Sequence, residues 1–193
     1  MRPEVIARLF EETGALLTGH FLLSSGLHSD RYLQCAKVLQ WPDKAEACAR
    51  ALALEVSALK PDLVVSPALG GLIIGHELGR ALGCRAIFAE REAGKLCFRR
   101  GFEIRSSERV LVVEDVITTG GSTLETMQVA VSQGGVVVGA ASLVDRSGGK
   151  AALGVAYHSL WTLSVATYQP EDCPLCRAGS KPVKPGSRVA IAK

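Results

Sequence analysis

The sequence predicts an α/β fold built on a central, mostly parallel sheet flanked by helices. Three observations predict it. Short apolar runs rich in β-branched residues alternate with segments of helical periodicity, the pattern of strand-helix-strand units. One of these runs, Val110 to Val113, is apolar at every position, as a strand covered on both faces must be. Glycine-rich turns at Gly70-Gly71 and Gly120-Gly121 join strand ends to helix starts.

The elements follow in order. Val5, Ile6, Leu9 and Phe10 recur at helical spacing between Pro3 and Glu12, and Gly14 closes that helix. Phe21–Leu23 and Tyr32–Cys35 read as short strands around the turn Ser24-Ser25-Gly26. Pro42, suited to a first helical turn, opens a helix with Ala45, Cys48, Ala49, Leu52, Val56 and Leu59 on one face. Leu63–Ser66 is a strand, Leu72–Leu82 a helix stopped by Gly83, and Arg85–Ala89 the next strand. Residues 91–108 are charged and punctuated by glycine, which predicts a hairpin-like excursion or mobile loop. A strand over Val110–Asp115, a helix over Ser122–Gln133 and a strand over Val136–Val144 come next. Ser122 with Glu125 three residues on has the form of a capping box. Leu160–Ala166 is the last strand, and the Pro-, Gly- and Lys-rich tail from 170 to 193 is expected to be extended.

Composition narrows the class. With 193 residues, 48% hydrophobic and 21% charged, the chain suits one folded domain. No apolar run approaches the ~18 residues of a membrane span. The N-terminus lacks a signal-peptide core, so a cytoplasmic protein is expected. Net charge is +3, but the tail from Asp172 to Lys193 holds five basic residues and one acid. The body is close to neutral, which argues against a nucleic-acid-binding domain. Cys35, Cys48, Cys84 and Cys97 show no metal-like spacing. Cys173-Pro-Leu-Cys176 supplies two of the four ligands of a structural zinc; His158 is distant in sequence, and no second pair is evident, so no metal and no chemistry are expected there.

The chemistry concentrates at Glu114-Asp115-Val116-Ile117-Thr118-Thr119-Gly120-Gly121-Ser122. Two adjacent acids end a strand, where open α/β sheets bind ligands. The loop that follows leads into a helix N-terminus, whose N–H groups and positive dipole end favour a phosphate. The acids can hold vicinal ribose hydroxyls beside it. A Walker A loop is excluded because no Gly-Lys-Ser/Thr follows, and the Gly-x-Gly-x-x-Gly fingerprint is missing.

This stretch resembles the signature of the type I phosphoribosyltransferases. The resemblance implies that Glu114 and Asp115 hold the ribose hydroxyls of phosphoribosyl pyrophosphate (PRPP), and that Val116 to Ser122 cradle its 5-phosphate. Pro67 to Gly75 resembles the family's pyrophosphate loop, with Gly70 where many relatives carry lysine, so that backbone N–H groups of Gly70 and Gly71 contact the ligand. Phe88 to Phe102 resembles the mobile catalytic loop of the orotate phosphoribosyltransferases, with Arg91 and Lys95 at the matching positions. A histidine usual in that loop is replaced near Cys97, and Glu92 stands for a basic residue. Ser25, Gly26, Ser29 and Tyr32 look like the N-terminal motif of the same enzymes, with Ser24 in place of a common lysine. Arg146, after Asp145, matches an arginine that contacts orotate; a guanidinium suits a carboxylate.

The implied function is transfer of phosphoribosyl from PRPP to orotate, giving orotidine 5′-monophosphate and pyrophosphate. Glu114, Asp115, Lys95 and Arg91 are the implied catalytic residues; Thr118, Arg146, Ser25, Gly26 and Tyr32 the orotate contacts. Mg²⁺ is implied as cofactor, held through PRPP and water rather than by direct protein ligands. The family's architecture implies a small N-terminal hood within residues 1–40 and a homodimer with loop 91–108 shared across subunits. Two alternatives stay open on sequence: a transferase for another base, and a PRPP-sensing regulator of the same fold.

Overall fold

In the computed structural model, residues 1–23 and 25–185 are described. Helix α1 (Pro3–Glu12) precedes a hairpin of β1 (Leu16–Leu22) and β2 (His28–Leu33). Then come a turn of helix, α2 (Ala36–Leu39), and α3 (Pro42–Val56). The central units are β3 (Leu63–Pro67), α4 (Gly71–Leu82), β4 (Arg85–Glu92), β5 (Lys95–Cys97), β6 (Arg109–Ile117), α5 (Gly121–Ser132), β7 (Val136–Asp145) and β8 (Tyr157–Thr162). A two-residue strand, β9 (Thr167–Tyr168), and a short helix, α6 (Pro174–Arg177), follow.

Six strands form the main sheet in the order β5-β4-β3-β6-β7-β8. All pairings are parallel except the β4–β5 hairpin. The chain runs outward from β3 to β4, then returns to place β6 on the other side of β3. The order therefore reverses between β3 and β6, which is where α/β sheets open a ligand crevice.

The core explains this arrangement. Val64, Leu111, Val113, Ala141 and Leu143 face one helical layer, and Leu63, Val65, Val110, Val112 and Ala140 face the other. That two-sided burial is why the strands read as continuous apolar runs. Ile6 and Phe10, one turn apart on α1, are fully buried, and Phe10 meets Trp161 edge to face at 5.5 Å. Each such side chain contributes about 1.5–3 kcal/mol. Helix α4 approaches the sheet through glycines. A Cβ on Gly75 would lie 2.7 Å from Ser66 Oγ, and one on Gly79 would lie 2.9 Å from Ala86 Cβ.

The predicted elements are present, with four corrections. The N-terminal strands are longer and begin earlier, because β1 and β2 pair along Leu16–Leu33 to Leu22–His28. The last strand is Tyr157–Thr162, set by its register on β7, and Leu163 N–H bonds the Asp145 carbonyl to end it. The capping box does not form. Gly120, at φ +81°, occupies the cap, the helix starts one residue early, and Glu125 is engaged elsewhere. The tail is not simply extended: residues 170–172 and 174–177 are helical turns, and Val183 bridges to Phe21. Residues 186–193 of the predicted tail, and Ser24 of the predicted turn, lie outside the described residues.

A second sheet of three strands, β1-β2-β9, forms the hood. Its third strand comes from beyond residue 40, so the hood is closed by both ends of the chain. Ser29 Oγ–H donates to the Ala166 carbonyl at 2.8 Å, fixing the hairpin to that returning segment.

Candidate active site

The site lies at the C-terminal ends of β3 and β6. Glu114 and Asp115 emerge there half-buried, with Val116 and Ile117 finishing the strand. Thr123, one turn into α5, donates its hydroxyl to Glu114 Oε2 at 2.6 Å. Asp115 Oδ1 accepts the Val116 N–H at 2.9 Å. Neither acid has a cationic partner among the described residues. Burial pushes the Glu114 carboxyl up to about 7, against the pull of the Thr123 hydroxyl, with Asp115 adding to the rise. Asp115 is raised by burial as well, opposed by the Val116 N–H. Two desolvated, unneutralised carboxylates are a place for a ligand that brings hydroxyl donors and positive charge.

Thr118 is half-buried and Thr119 exposed, and the loop passes through the left-handed Gly120 into α5 at Gly121 and Ser122. The left-handed turn matters, because a side chain there would also collide with Leu153, 2.7 Å from an added Cβ. The first N–H groups of α5 have no carbonyl within the helix to bond and face the loop. Gly70 and Gly71 begin α4 on the neighbouring strand β3. A Cβ on Gly70 would stand 2.6 Å from Asp115 Oδ1, so the two loops meet at the acidic pair.

Arg146 follows β7 and is half-buried, its N–H bonding the Ile117 carbonyl at 2.8 Å. Asp145 does not pair with it. That carboxylate accepts Ser147 N–H, Ser147 Oγ–H and Gly149 N–H, holding the next loop. Partial burial lowers the Arg146 pKa, while Tyr32 and Cys35 are near enough to oppose the shift. Cys35 is buried and its thiol contacts the Asp115 carbonyl at 3.8 Å. Cys35 thus joins the acids, Arg146 and the hood residue Tyr32, a link that its apolar-looking position in the sequence does not reveal. Ser25 and Gly26 stand exposed at the tip of the β1–β2 hairpin, with Gly26 at φ +84°.

Loop 91–108 begins as the β4–β5 hairpin. Arg91, Arg99 and Arg100 are matched with acids. Arg91 makes a two-point contact with Glu125 of α5, at 2.8 and 3.3 Å, and Glu125 also accepts the Leu96 N–H. Arg100 pairs with Glu90 through two bonds, and Arg99 lies 3.5 Å from Glu92. Lys95 is exposed and has no ion pair among the described residues. Of Arg91, Lys95, Arg99 and Arg100, Lys95 is the one with no ion pair among the described residues.

The sequence matches the phosphoribosyl transferase domain over residues 34–157. It is 54% identical to the orotate phosphoribosyltransferase of Pelotomaculum thermopropionicum, over 97% of this chain and 98% of that one. It is 53% identical to the protein of the same name from Caldicellulosiruptor saccharolyticus, over 97% and 98%. Among solved structures it resembles the orotate phosphoribosyltransferase of Aeropyrum pernix, at TM-score 0.66 and 29% identity, covering 82% of this chain and 93% of that one. It also resembles the UMP synthase of Leishmania donovani, at TM-score 0.72 and 25% identity, covering 82% of this chain and 36% of that one.

Proposed function

The chain belongs to the orotate phosphoribosyltransferases of the phosphoribosyl transferase family, and we propose that it transfers phosphoribosyl from PRPP to orotate, giving orotidine 5′-monophosphate and pyrophosphate for pyrimidine synthesis. The observation that carries this is the meeting of Glu114–Asp115, the Gly120–Gly121 turn and Gly70 at the switch point of the sheet.

In the reaction, the anomeric C–O bond breaks and pyrophosphate leaves with its electron pair. An orotate nitrogen supplies the pair for the new C–N bond and loses its proton. Glu114 and Asp115 accept the ribose hydroxyls and stabilise positive charge that grows on the sugar. The turn Thr118–Ser122 and the start of α5 take the 5-phosphate, and the backbone at Gly70–Gly71 takes pyrophosphate. Arg146 grips the orotate carboxylate, with Thr118, Ser25, Gly26 and Tyr32 completing the base site. Lys95 supplies charge to the leaving group. No protein nucleophile takes part.

Mg²⁺ fits this site. The donors are hard carboxylate oxygens with no competing cation, and a hydrated ion would reach them through PRPP and water. When bound, it neutralises the diphosphate and fixes its geometry. The protein works as a cytoplasmic homodimer in which loop 91–108 closes over the neighbouring subunit's site. No helix among the described residues is long and apolar enough to cross a membrane.

Following orotate absorbance with and without PRPP and Mg²⁺ tests the reading. Consumption that requires both is expected. Turnover of uracil or xanthine in preference to orotate would overturn the choice of base.

A further inference from the structure

The hood holds a second constellation, away from the acids. His20 of β1, His28 of β2, and Cys173 and Cys176 at the start of α6 bring four donor atoms within 4.8 Å of one another. The sequence pattern shows only the Cys-x-x-Cys half of this group; the second pair of side chains is supplied by the hairpin. We propose that these four residues form a structural zinc site that fastens the C-terminal tail to the hood.

The distances suit it. Zinc held by two thiolates at ~2.3 Å and two imidazoles at ~2.0 Å sets tetrahedral edges of about 3.3–3.8 Å. Cys173 Sγ lies 3.5 Å from His20 Nε2, and Cys176 Sγ lies 3.7 Å from the same atom. Cys176 Sγ is 3.3 Å from His28 Nδ1, and the two ring nitrogens are 3.0 Å apart, so they need separate by only about 0.3 Å to meet the tetrahedral edge. The rings cross at 69°, which aims two nitrogens at one point without stacking. A mixed S₂N₂ tetrahedron selects zinc over harder ions.

The surroundings are those of a built site. His20, His28 and Cys173 are buried. Histidine is seldom placed so deep without a partner for each nitrogen. His20 Nδ1 lies 3.0 Å from the Ser180 carbonyl, which accepts its proton and leaves the Nε2 lone pair directed at the cluster. The pairing of β1 with β2 slips between Thr18 and Phe21, so His20 sits in an irregularity that can re-aim its side chain. Beyond the cysteines the chain returns to the hairpin, where Val183 N–H bonds the His20 carbonyl and Leu22 N–H bonds the Val183 carbonyl. The ion therefore crosslinks His20 to cysteines 153 and 156 residues further along the chain.

The test uses the untagged full chain, purified with a thiol reductant, and inductively coupled plasma mass spectrometry. About one zinc per chain is expected as isolated or after reconstitution. Replacement by Co²⁺ should give tetrahedral d–d absorption and a sulfur-to-cobalt charge-transfer band. A zinc-selective chelator should lower the melting temperature by about 5 °C or more. Cys176→Ser, at a half-buried position, and the Cys173→Ser, Cys176→Ser pair should each lose the metal. Zinc far below one per chain after reconstitution overturns the proposal, as does undiminished zinc in the double variant. Loss of metal content does not depend on what the catalytic site transfers.

Discussion

Gly70 and Asp115 are in direct apposition: a single added methyl on Gly70 would fall 2.6 Å from the Asp115 Oδ1 that accepts the Val116 N–H. The glycine is required by its neighbour rather than by its own backbone, whose φ of −57° suits any residue. Gly70→Ala is therefore expected to displace the Asp115 carboxylate and lower turnover about 10–100-fold, a misplacement effect, while the melting temperature moves little. Steady-state rates beside a thermal melt check it; unchanged turnover would mean that the carboxylate relaxes freely.

Asp115→Asn and Glu114→Gln keep shape and remove charge. Turnover is expected to fall at least about 100-fold in the double variant with the fold intact, because the lost interaction strengthens as the ribose becomes cationic. Circular dichroism and orotate absorbance decide it.

The same acids carry a pH signature. The Glu114 carboxyl rises from 4.5 to about 7 on folding. Between those values the folded chain holds a proton that the unfolded chain has released. Its contribution to stability is full below about pH 4.5 and is lost as pH rises through 7. Glu114→Gln should thus melt above wild type at pH 8, by at most about 3 kcal/mol in stability, and the difference should vanish as pH falls below about 4.5. Melts at several pH values in the absence of substrate measure this. A variant less stable at pH 8 would contradict the burial argument.

Lys95 and Arg91 separate by their partners. Lys95→Ala is expected to cut turnover about 10²–10³-fold with little change in melting temperature. Arg91→Ala should cost less, since Glu125 already counters that charge. If the loop acts across a dimer, mixing Lys95→Ala with Asp115→Asn should restore activity in heterodimers. Heterodimers that form and stay inactive would mean that each site is built from one chain.

Arg146→Ala should raise the orotate KM about 10–100-fold and leave the PRPP KM nearly unchanged, as loss of a charge-assisted contact requires. Equal effects on both substrates would assign Arg146 to structure instead.

Most of the central sheet and its two glycine loops was legible in the sequence, because continuous apolar strands and glycine turns are local signals. Long-range partners were not. Glu125 looks like half of a cap from its spacing to Ser122, yet a hairpin distant in sequence claims its carboxylate. Thr123 shows no mark of its hold on Glu114. His20 and His28 look unconnected to Cys173 and Cys176 until the hairpin and the tail are folded together.

That the hood takes strands from both ends of the chain bears on the order of assembly. Ser29 must wait for Ala166, 137 residues later, before its bond can close. Closing so long a loop is entropically unfavourable until the intervening sheet holds the ends near each other. The expected sequence during synthesis is a central sheet that forms first and a hood that docks last, once the C-terminal residues have left the ribosome. Pulse-labelled hydrogen exchange during refolding should find Leu111 and Val112 amides protected before those of β1 and β2. A nascent chain halted before β9 would carry the completed central sheet beside a two-stranded hairpin that still lacks its third strand.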